Sequence, residues 1–263
     1  MTNAETLEVS VQDGIAEITL SRPDLYNRID DQARAELITA LAEAGGSEET
    51  RVIVLAAHGK VFSAGGDFQM MKRKHGDRSA TERGTAESRR LIETFLDIPV
   101  PVIAAVHGDA VGLGSTIVLA CDAVVASKGA RIMDAHVKVG LVAGDGGAVF
   151  WPQSIGMVRT KRHLLTGDPV LAEDGYHMGM VSDLVDTPEE VLPAARALAE
   201  RMAALPPQAV RGTKKALNHI MRQRSAEVLE LGLAYEAETM HSEDLMEAVH
   251  AFEERRPGRF TGR

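Results

Sequence analysis

The chain has 263 residues, 44% of them hydrophobic, and a formal net charge of -9. That is enough to bury a real core in one large domain or two small ones, and the acidic balance argues against a protein that grips nucleic acid with a basic face. A few local lysines and arginines on an acidic protein still suffice to hold an anionic ligand. The single cysteine, Cys121, has no partner for an internal disulfide and lies in an apolar run, which reads as a buried structural thiol without redox or metal role. Residues 1–8 are polar and acidic, so no signal peptide is expected there. No apolar run nears the roughly 18 residues of a membrane span, and the expected location is the cytoplasm.

In chain order, residues 7–11 and 15–20 alternate around Asp13-Gly14, a hairpin signature ended by Ser21-Arg22-Pro23. Residues 30–44 carry apolar side chains at helical spacing, with Asp30 or Asp31 as N-cap. Residues 52–57 are a short apolar strand of the kind covered on both faces. Gly65-Gly66 breaks the chain before a segment at 68–74; residues 72–83, charged and glycine-containing, read as a mobile surface segment, and 87–96 as a helix. Pro99-Val100-Pro101 leads into a buried strand at 102–106 and a second glycine-rich loop, Gly108-Asp109-Ala110-Val111-Gly112-Leu113-Gly114. Residues 116–125 and 131–133 continue the core, and 144–147 opens a helix that starts or bends at Pro152. After residues 181–185, the segments 188–205, 207–222, 226–239 and 244–254 read as four amphipathic helices. The pattern predicts an α/β fold, with a core over 1–195 and a helical C-terminal region over 196–263.

Two loops carry chemistry. An enolate or tetrahedral oxyanion needs two preorganised N–H donors aimed at one oxygen. Glycines allow the close backbone approach, and a following helix start adds the positive end of its dipole. Ser63-Ala64-Gly65-Gly66-Asp67 and the 108–114 loop each follow an apolar strand. Either alone is compatible with an ordinary strand-to-helix turn; both in one chain point to an oxyanion hole.

Longer motifs extend this reading. Arg22-Pro23-Asp24-Leu25-Tyr26-Asn27, Gly59-Lys60-Val61-Phe62-Ser63-Ala64-Gly65-Gly66-Asp67-Phe68 and Pro101-Val102-Ile103-Ala104-Ala105-Val106-His107-Gly108 come first. Gly140-Leu141-Val142-Ala143-Gly144-Asp145-Gly146-Gly147 and Leu164-Leu165-Thr166-Gly167 follow. In this order and spacing, over nearly the whole chain, they resemble the enoyl-CoA hydratase/isomerase (crotonase) superfamily. The resemblance implies a spiral of ββα units and a helical C-terminal region that packs between subunits of a homotrimer or dimer of trimers. It implies acyl-CoA substrates and no permanently bound cofactor, coenzyme A entering as part of the substrate. The oxyanion donors it implies are the N–H groups of Gly66 and Leu113, Leu113 standing where glycine is common. It places Leu25, Tyr26, Ala64, Asp67 and Phe68 along the adenine and pantetheine channel, and Lys60 near a phosphate. Lys60 by itself reads equally as a solvated lysine, and Gln69 stands where some relatives have a phosphate-facing lysine. Phe252, Arg255, Arg256 and Phe260 resemble a tail that closes over coenzyme A, or read as an ordinary charged terminus.

One departure matters most. Where hydratases of this family carry two glutamates that hold water and move protons, this chain has Thr116 and His136. Threonine is no base near neutral pH, whereas an imidazole with an unperturbed pKa of about 6.5 is one. Asp145 stands in a glycine-rich turn; in reach of His136 it would fix the tautomer and raise the basicity of the ring, and alone it reads as a helix N-cap. The Asp134-Ala135-His136 and Gly144-Asp145-Gly146 pattern, with Val149-Phe150-Trp151-Pro152 and Gly232-Leu233-Ala234-Tyr235-Glu236-Ala237, is similar to the 6-oxocamphor hydrolase branch, which hydrolyses a C–C bond of a cyclic β-diketone. That branch lacks the Ala64-Gly65-Gly66-Asp67 type of loop, whose presence here favours a thioester. Three functions follow. The first is an acyl-CoA enzyme with His136 and Asp145 as acid/base pair, hydrolysing a C–C bond of a β-dicarbonyl or hydrating a double bond. The second is an ordinary enoyl-CoA hydratase/isomerase of fatty-acid β-oxidation, if Glu87 or Glu236 reaches the site. The third is a non-catalytic acyl-CoA-binding scaffold. No sequence constellation has metal-ligand spacing, and Met70-Met71 and residues 178–180 read as packing.

Overall fold

The computed structural model describes residues 4–263, so Met1, Thr2 and Asn3 of the N-terminal segment lie outside the described residues. β1 (Leu7–Gln12) and β2 (Ile15–Leu20) form the expected antiparallel hairpin, with Leu7 opposite Leu20. A single-turn 3-10 helix at Pro23–Leu25 leads to α1 (Asp31–Gly46), where the side chain of N-cap Asp30 accepts from Ala33 N–H. β3 (Val52–Ala57) is followed by α2 (Phe68–Lys74), α3 (Arg78–Asp97) and β4 (Val102–Val106). β5 (Ala110–Val111), α4 (Leu113–Ala120), β6 (Ala123–Ser127) and β7 (Arg131–Met133) come next, then a 3-10 turn at His136–Val139. α5 (Gly147–Ile155), α6 (Met157–Thr166), β8 (Val170–Leu171), α7 (Ala172–Met178) and β9 (Asp183–Val185) complete the α/β part. α8 (Pro188–Ala203), α9 (Pro207–Thr239) and α10 (Glu243–Glu253) close the chain.

Six strands form one sheet in the order β1-β2-β3-β4-β6-β9, and β5-β7-β8 form a second. Beyond the hairpin every pairing in the large sheet is parallel, which agrees with the uninterrupted apolar runs of β3 and β4. Both faces are covered. Ile53, Leu55, Val102 and Ala104 face the main core with Leu37, Phe95 and Trp151. Val52, Val54 and Ile103 face Val191, Ala195 and Ala199 of α8. A boundary between 195 and 196 therefore runs through a helix seated on the sheet, and the helical appendage begins at α9.

Two expectations need correction. The segment 72–83 is not a surface loop: α2 and α3 enclose a break of only residues 75–77. Lys74 and Thr81 turn inward, while Arg73, Arg78, Glu82 and Arg83 stay exposed. Lys74 is buried with its Nζ 2.6 Å from Asp31, Thr81 is buried, and Asp77 caps α3 through Ala80 N–H, an interaction worth about 1 kcal/mol. The helices expected at 207–222 and 226–239 are one helix, α9, because Gln223-Arg224-Ser225 contains no breaker and Ser225 is buried. α6 and α7 were not expected at all. Cys121 is half-buried; its thiol donates to the Ile117 carbonyl at 3.3 Å, and burial pushes its pKa up. Among the described residues no helix is long and apolar enough to cross a membrane.

Candidate active site

The two glycine loops are joined by backbone pairing. Ser63 N–H donates to the Asp109 carbonyl at 3.1 Å and Val111 N–H to the Ser63 carbonyl at 2.9 Å, a parallel bridge centred on Ser63 and Ala110. Gly65, at φ +81, lies so close to this bridge that a Cβ would sit 2.4 Å from the Val111 carbonyl oxygen. Gly112 enters α4 at φ +54 and ψ -124, a conformation that glycine, lacking a Cβ, adopts without steric cost. This geometry leaves two N–H groups over. Among the described residues neither Gly66 nor Leu113 donates a backbone hydrogen bond. Leu113 is the first residue of α4, where an orphan donor coincides with the positive end of the helix dipole. Both residues line one cavity of about 50 Å³, with the Met71 methyl packed over Gly66.

His136 and Asp145 line the same cavity, together with Glu236. His136 is held at both ring nitrogens: Nδ1 lies 2.6 Å from Asp134 Oδ1, and Nε2 lies 3.4 Å from Asp145 Oδ2. Asp134 also accepts from the His136 backbone N–H at 3.2 Å, which fixes the turn. Glu236 arrives from α9. That helix presses its backbone onto the turn bearing Asp145, so closely that a Cβ on Gly144 would lie 2.2 Å from the Gly232 carbonyl oxygen. Glu236, four residues on from Gly232 and so one turn along the helix, faces the imidazole. One ligand-type atom from each of His136, Asp145 and Glu236 lies within 4.8 Å of the others.

The charges are set mutually. Burial opposes a charge on His136, but Asp134 and Asp145 outweigh it and raise its pKa well above 6.5. Burial likewise works against ionised Asp145, yet the imidazolium, Arg34 and the nearby Thr116 hydroxyl hold it below the ordinary value. For Glu236 the balance goes the other way: burial, then repulsion from Asp145, outweighs the pull of His136 and Arg34 and pushes it up to about 8. At neutral pH the cluster is an imidazolium flanked by carboxylates beside one neutral carboxylic acid. Its raised pKa keeps the ring of His136 protonated further up the pH scale than a free imidazole. Asp145 Oδ1, Glu236 Oε2 and Thr116 Oγ1 are buried without hydrogen-bond partners, a costly condition for polar atoms.

Of the five residues expected to carry the chemistry, the structure brings Gly66, Leu113, His136 and Asp145 to the cavity. Thr116 is fully buried; its hydroxyl comes near enough to favour ionised Asp145 but makes no hydrogen bond of good geometry. None of the six residues expected along the coenzyme A channel lines the cavity. Leu25, Tyr26, Lys60 and Ala64 are exposed, with Ala64 N–H bound to the Tyr26 carbonyl. Asp67 is buried; its carboxylate caps α2 through the N–H groups of Gln69 and Met70 and pairs with Arg28 at 3.0 Å. That carboxylate is occupied inside the chain and serves the loop. Phe68 packs edge-on against Phe252 of α10 at 5.0 Å, and Lys72 pairs with Glu253 at 2.7 Å. Arg256 pairs with Glu247 and Glu254, while Phe260 is exposed.

Of the two alternative carboxylates, Glu236 reaches the site, whereas Glu87 does not line it and lies 3.9 Å from Arg90. Arg34 and Lys74 also line the cavity, and no local motif announces either. Among the described residues, His136, Asp145 and Glu236 are also the group that could hold a metal ion. Sequence spacing does not reveal such a group, since its members come from three separate elements.

Comparison with known proteins agrees with the fold. The family model described as enoyl-CoA hydratase/isomerase matches residues 10–263. A probable enoyl-CoA hydratase of Rhodobacter capsulatus is 34% identical, with 98% of each chain covered. A 1,2-epoxyphenylacetyl-CoA isomerase of Escherichia coli is 30% identical, covering 96% of this chain and 97% of its own. The crystal structure of an enoyl-CoA hydratase/isomerase from Mycobacterium paratuberculosis matches with a TM-score of 0.89 at 32% identity, over 93% of this chain and 97% of that one. The stitched glycine loops thus sit in a fold shared along nearly the full length of these relatives, and the chain belongs to the enoyl-CoA hydratase/isomerase family of the crotonase superfamily.

Proposed function

We propose that this chain adds water across, or removes it from, the 2,3 double bond of an acyl-CoA thioester, with Asp145 as base and Glu236 as acid. One observation carries this reading: two carboxyl groups within 4.8 Å are held in opposite protonation states, Asp145 pulled down and Glu236 pushed up to about 8. Paired groups driven apart in this way divide the roles of base and acid. Asp145 takes a proton from water as its oxygen bonds to C3. The double-bond electrons move onto the thioester oxygen, which accepts from the N–H groups of Gly66 and Leu113. Glu236 then protonates C2, so one water is added in all. Asp145 has gained a proton and Glu236 has lost one; the His136 imidazolium, 3.4 Å from Asp145, gives its Nε2 proton to Glu236 and takes the Asp145 proton in its place. Coenzyme A enters as part of the substrate along the surface of Leu25, Tyr26, Lys60, Ala64 and Phe68.

The test is the pH profile of kcat/KM for hydration of crotonyl-CoA and longer 2-enoyl-CoAs. Activity requires protonated Glu236 and ionised Asp145. It falls as pH rises through about 8 and falls again on the acid side below the depressed pKa of Asp145.

A second reading, C–C hydrolysis of a β-dicarbonyl, draws on the 2.6 Å contact of Asp134 with His136 Nδ1, which orients the ring as a third group does in a triad. There His136 must be neutral to activate water, so activity would rise with pH through its raised pKa, opposite in direction to the alkaline fall of the first reading. A non-catalytic scaffold would bind acyl-CoA with no turnover on any thioester. We further propose self-association as a homotrimer or dimer of trimers. The exposed apolar side chains Val158, Leu165, Leu217, Ile220 and Leu231 support it, and light scattering tests it.

A further inference from the structure

The cavity has a wall that this reaction does not use. α1 and α2 place two cations in it, Arg34 at 4% exposure and Lys74 at 7%, and α3 adds Thr81, Thr85 and Ser88. A pocket for a plain alkyl tail has no use for two buried cations, since a charge taken out of water without full compensation is penalised by several kcal/mol. Their internal partners leave capacity over. Arg34 Nη1 donates to the Gly84 carbonyl at 2.9 Å and to Ser88 Oγ at 3.0 Å. Its other edge is open: Nε is buried with no acceptor, and Nη2 stands 3.9 Å from Asp31. That Nε–Nη2 edge is the fork that grips a carboxylate with two parallel bonds. Lys74 Nζ binds Asp31 at 2.6 Å, but the Asp31 side chain is 58% exposed. Gly84 leaves room for the ammonium, as a Cβ there would lie 2.8 Å from Nζ.

The charges facing this wall are few. Asp31 is the one carboxylate bonded to either cation among the described residues. Asp145 and Glu236 feel the charge of Arg34 from across the cavity, but Asp145 is matched by His136. Met70, Met71 and Met240 line the cavity beside Ile29, Leu141 and Leu233, and methionine repacks readily around guests of different length.

We propose that Arg34 and Lys74 form an anion subsite for the far end of the acyl group, so that the preferred substrate is a CoA thioester whose acyl chain ends in a second carboxylate. This rests on the acyl-CoA reading above. Saturated thioesters, which lack the double bond, separate recognition from chemistry. Glutaryl-CoA and adipoyl-CoA are compared with pentanoyl-CoA and hexanoyl-CoA by isothermal titration calorimetry on the full-length protein. At least one dicarboxylyl thioester binds about ten-fold or more tightly than its alkyl counterpart, the scale of one charge-assisted hydrogen bond. Arg34→Met then costs the dicarboxylyl ligands about ten-fold more affinity than the alkyl ones. Lys74→Met shows the same bias to a smaller degree, and it carries the test with the wild-type comparison should Arg34→Met not fold. Equal affinity within each pair, or tighter alkyl binding, overturns the subsite and leaves the acyl-CoA reading standing. Failure of all four thioesters to bind overturns that reading and the subsite with it.

Discussion

The two halves of the candidate site are built in opposite ways. The oxyanion loops are a backbone device. Their N–H groups are aimed by the bridge between Ser63 and Ala110 and by glycines where a Cβ would collide. Side-chain identity elsewhere hardly matters, so Leu113 donates as well as a glycine would. The proton cluster is a side-chain device. His136 follows β7, Asp145 precedes α5, Glu236 sits on α9, and each owes its charge state to the others. A backbone device tolerates drift one residue at a time, whereas a mutually charged cluster changes as a unit.

Breaking the cluster has the largest expected effect. Glu236→Gln keeps the shape and removes the transferable proton, lowering kcat for 2-enoyl-CoA hydration by about 10²- to 10⁴-fold; a loss under about three-fold would end its role as acid. Breaking the frame comes next. Gly65→Ala drives a Cβ to 2.4 Å from the Val111 carbonyl and displaces the Gly66 donor, for a loss of about 10²- to 10³-fold in kcat together with a lower Tm. Unchanged kcat would mean that Gly66 does not bind the oxyanion. Asp145→Asn sharpens the comparison. Besides slowing turnover it removes the charge that repels ionised Glu236, so the alkaline limb of residual activity moves from about 8 toward lower pH. A limb that stays put shows the two carboxyls to be independent. Thr116→Val, which deletes a hydroxyl without a hydrogen bond, changes kcat only a few-fold. Dialysis against EDTA has the smallest effect, none on turnover; a loss restored by added divalent ion would reassign His136, Asp145 and Glu236 to a metal.

Much of the frame was legible in the sequence because its signals are local. Apolar runs mark β3 and β4, Asp13-Gly14 marks the hairpin, and glycines mark the loops that follow strands. The parts that were missed depend on distant partners. Residues 72–83 look solvated until Lys74 is seen against Asp31. Arg34 lies in a helix whose pattern gives no hint that its head bonds Gly84 and Ser88. Glu236 could be named as a candidate, but its reach is decided by the seating of α9 on Gly144. The protonation of His136 was equally out of view. Asp134, two residues away, contributes at Nδ1 a charge that only the fold of the 3-10 turn directs at the ring.

The contact of Gly144 with Gly232 also bears on when the protein becomes active. The sheet, the glycine loops, His136 and Asp145 all precede α9 in the chain, and synthesis runs from the N-terminus. The acid arrives on the last long helix, and a slip of one residue along its axis would carry Glu236 about 1.5 Å along the helix and roughly 100° around it. On the proposed role of Glu236, turnover is the last property the nascent chain acquires. In refolding from denaturant, hydration activity should lag the return of the sheet signal, and shortening α9 ahead of Gly232 by a single residue should leave a folded core with its proton donor out of place.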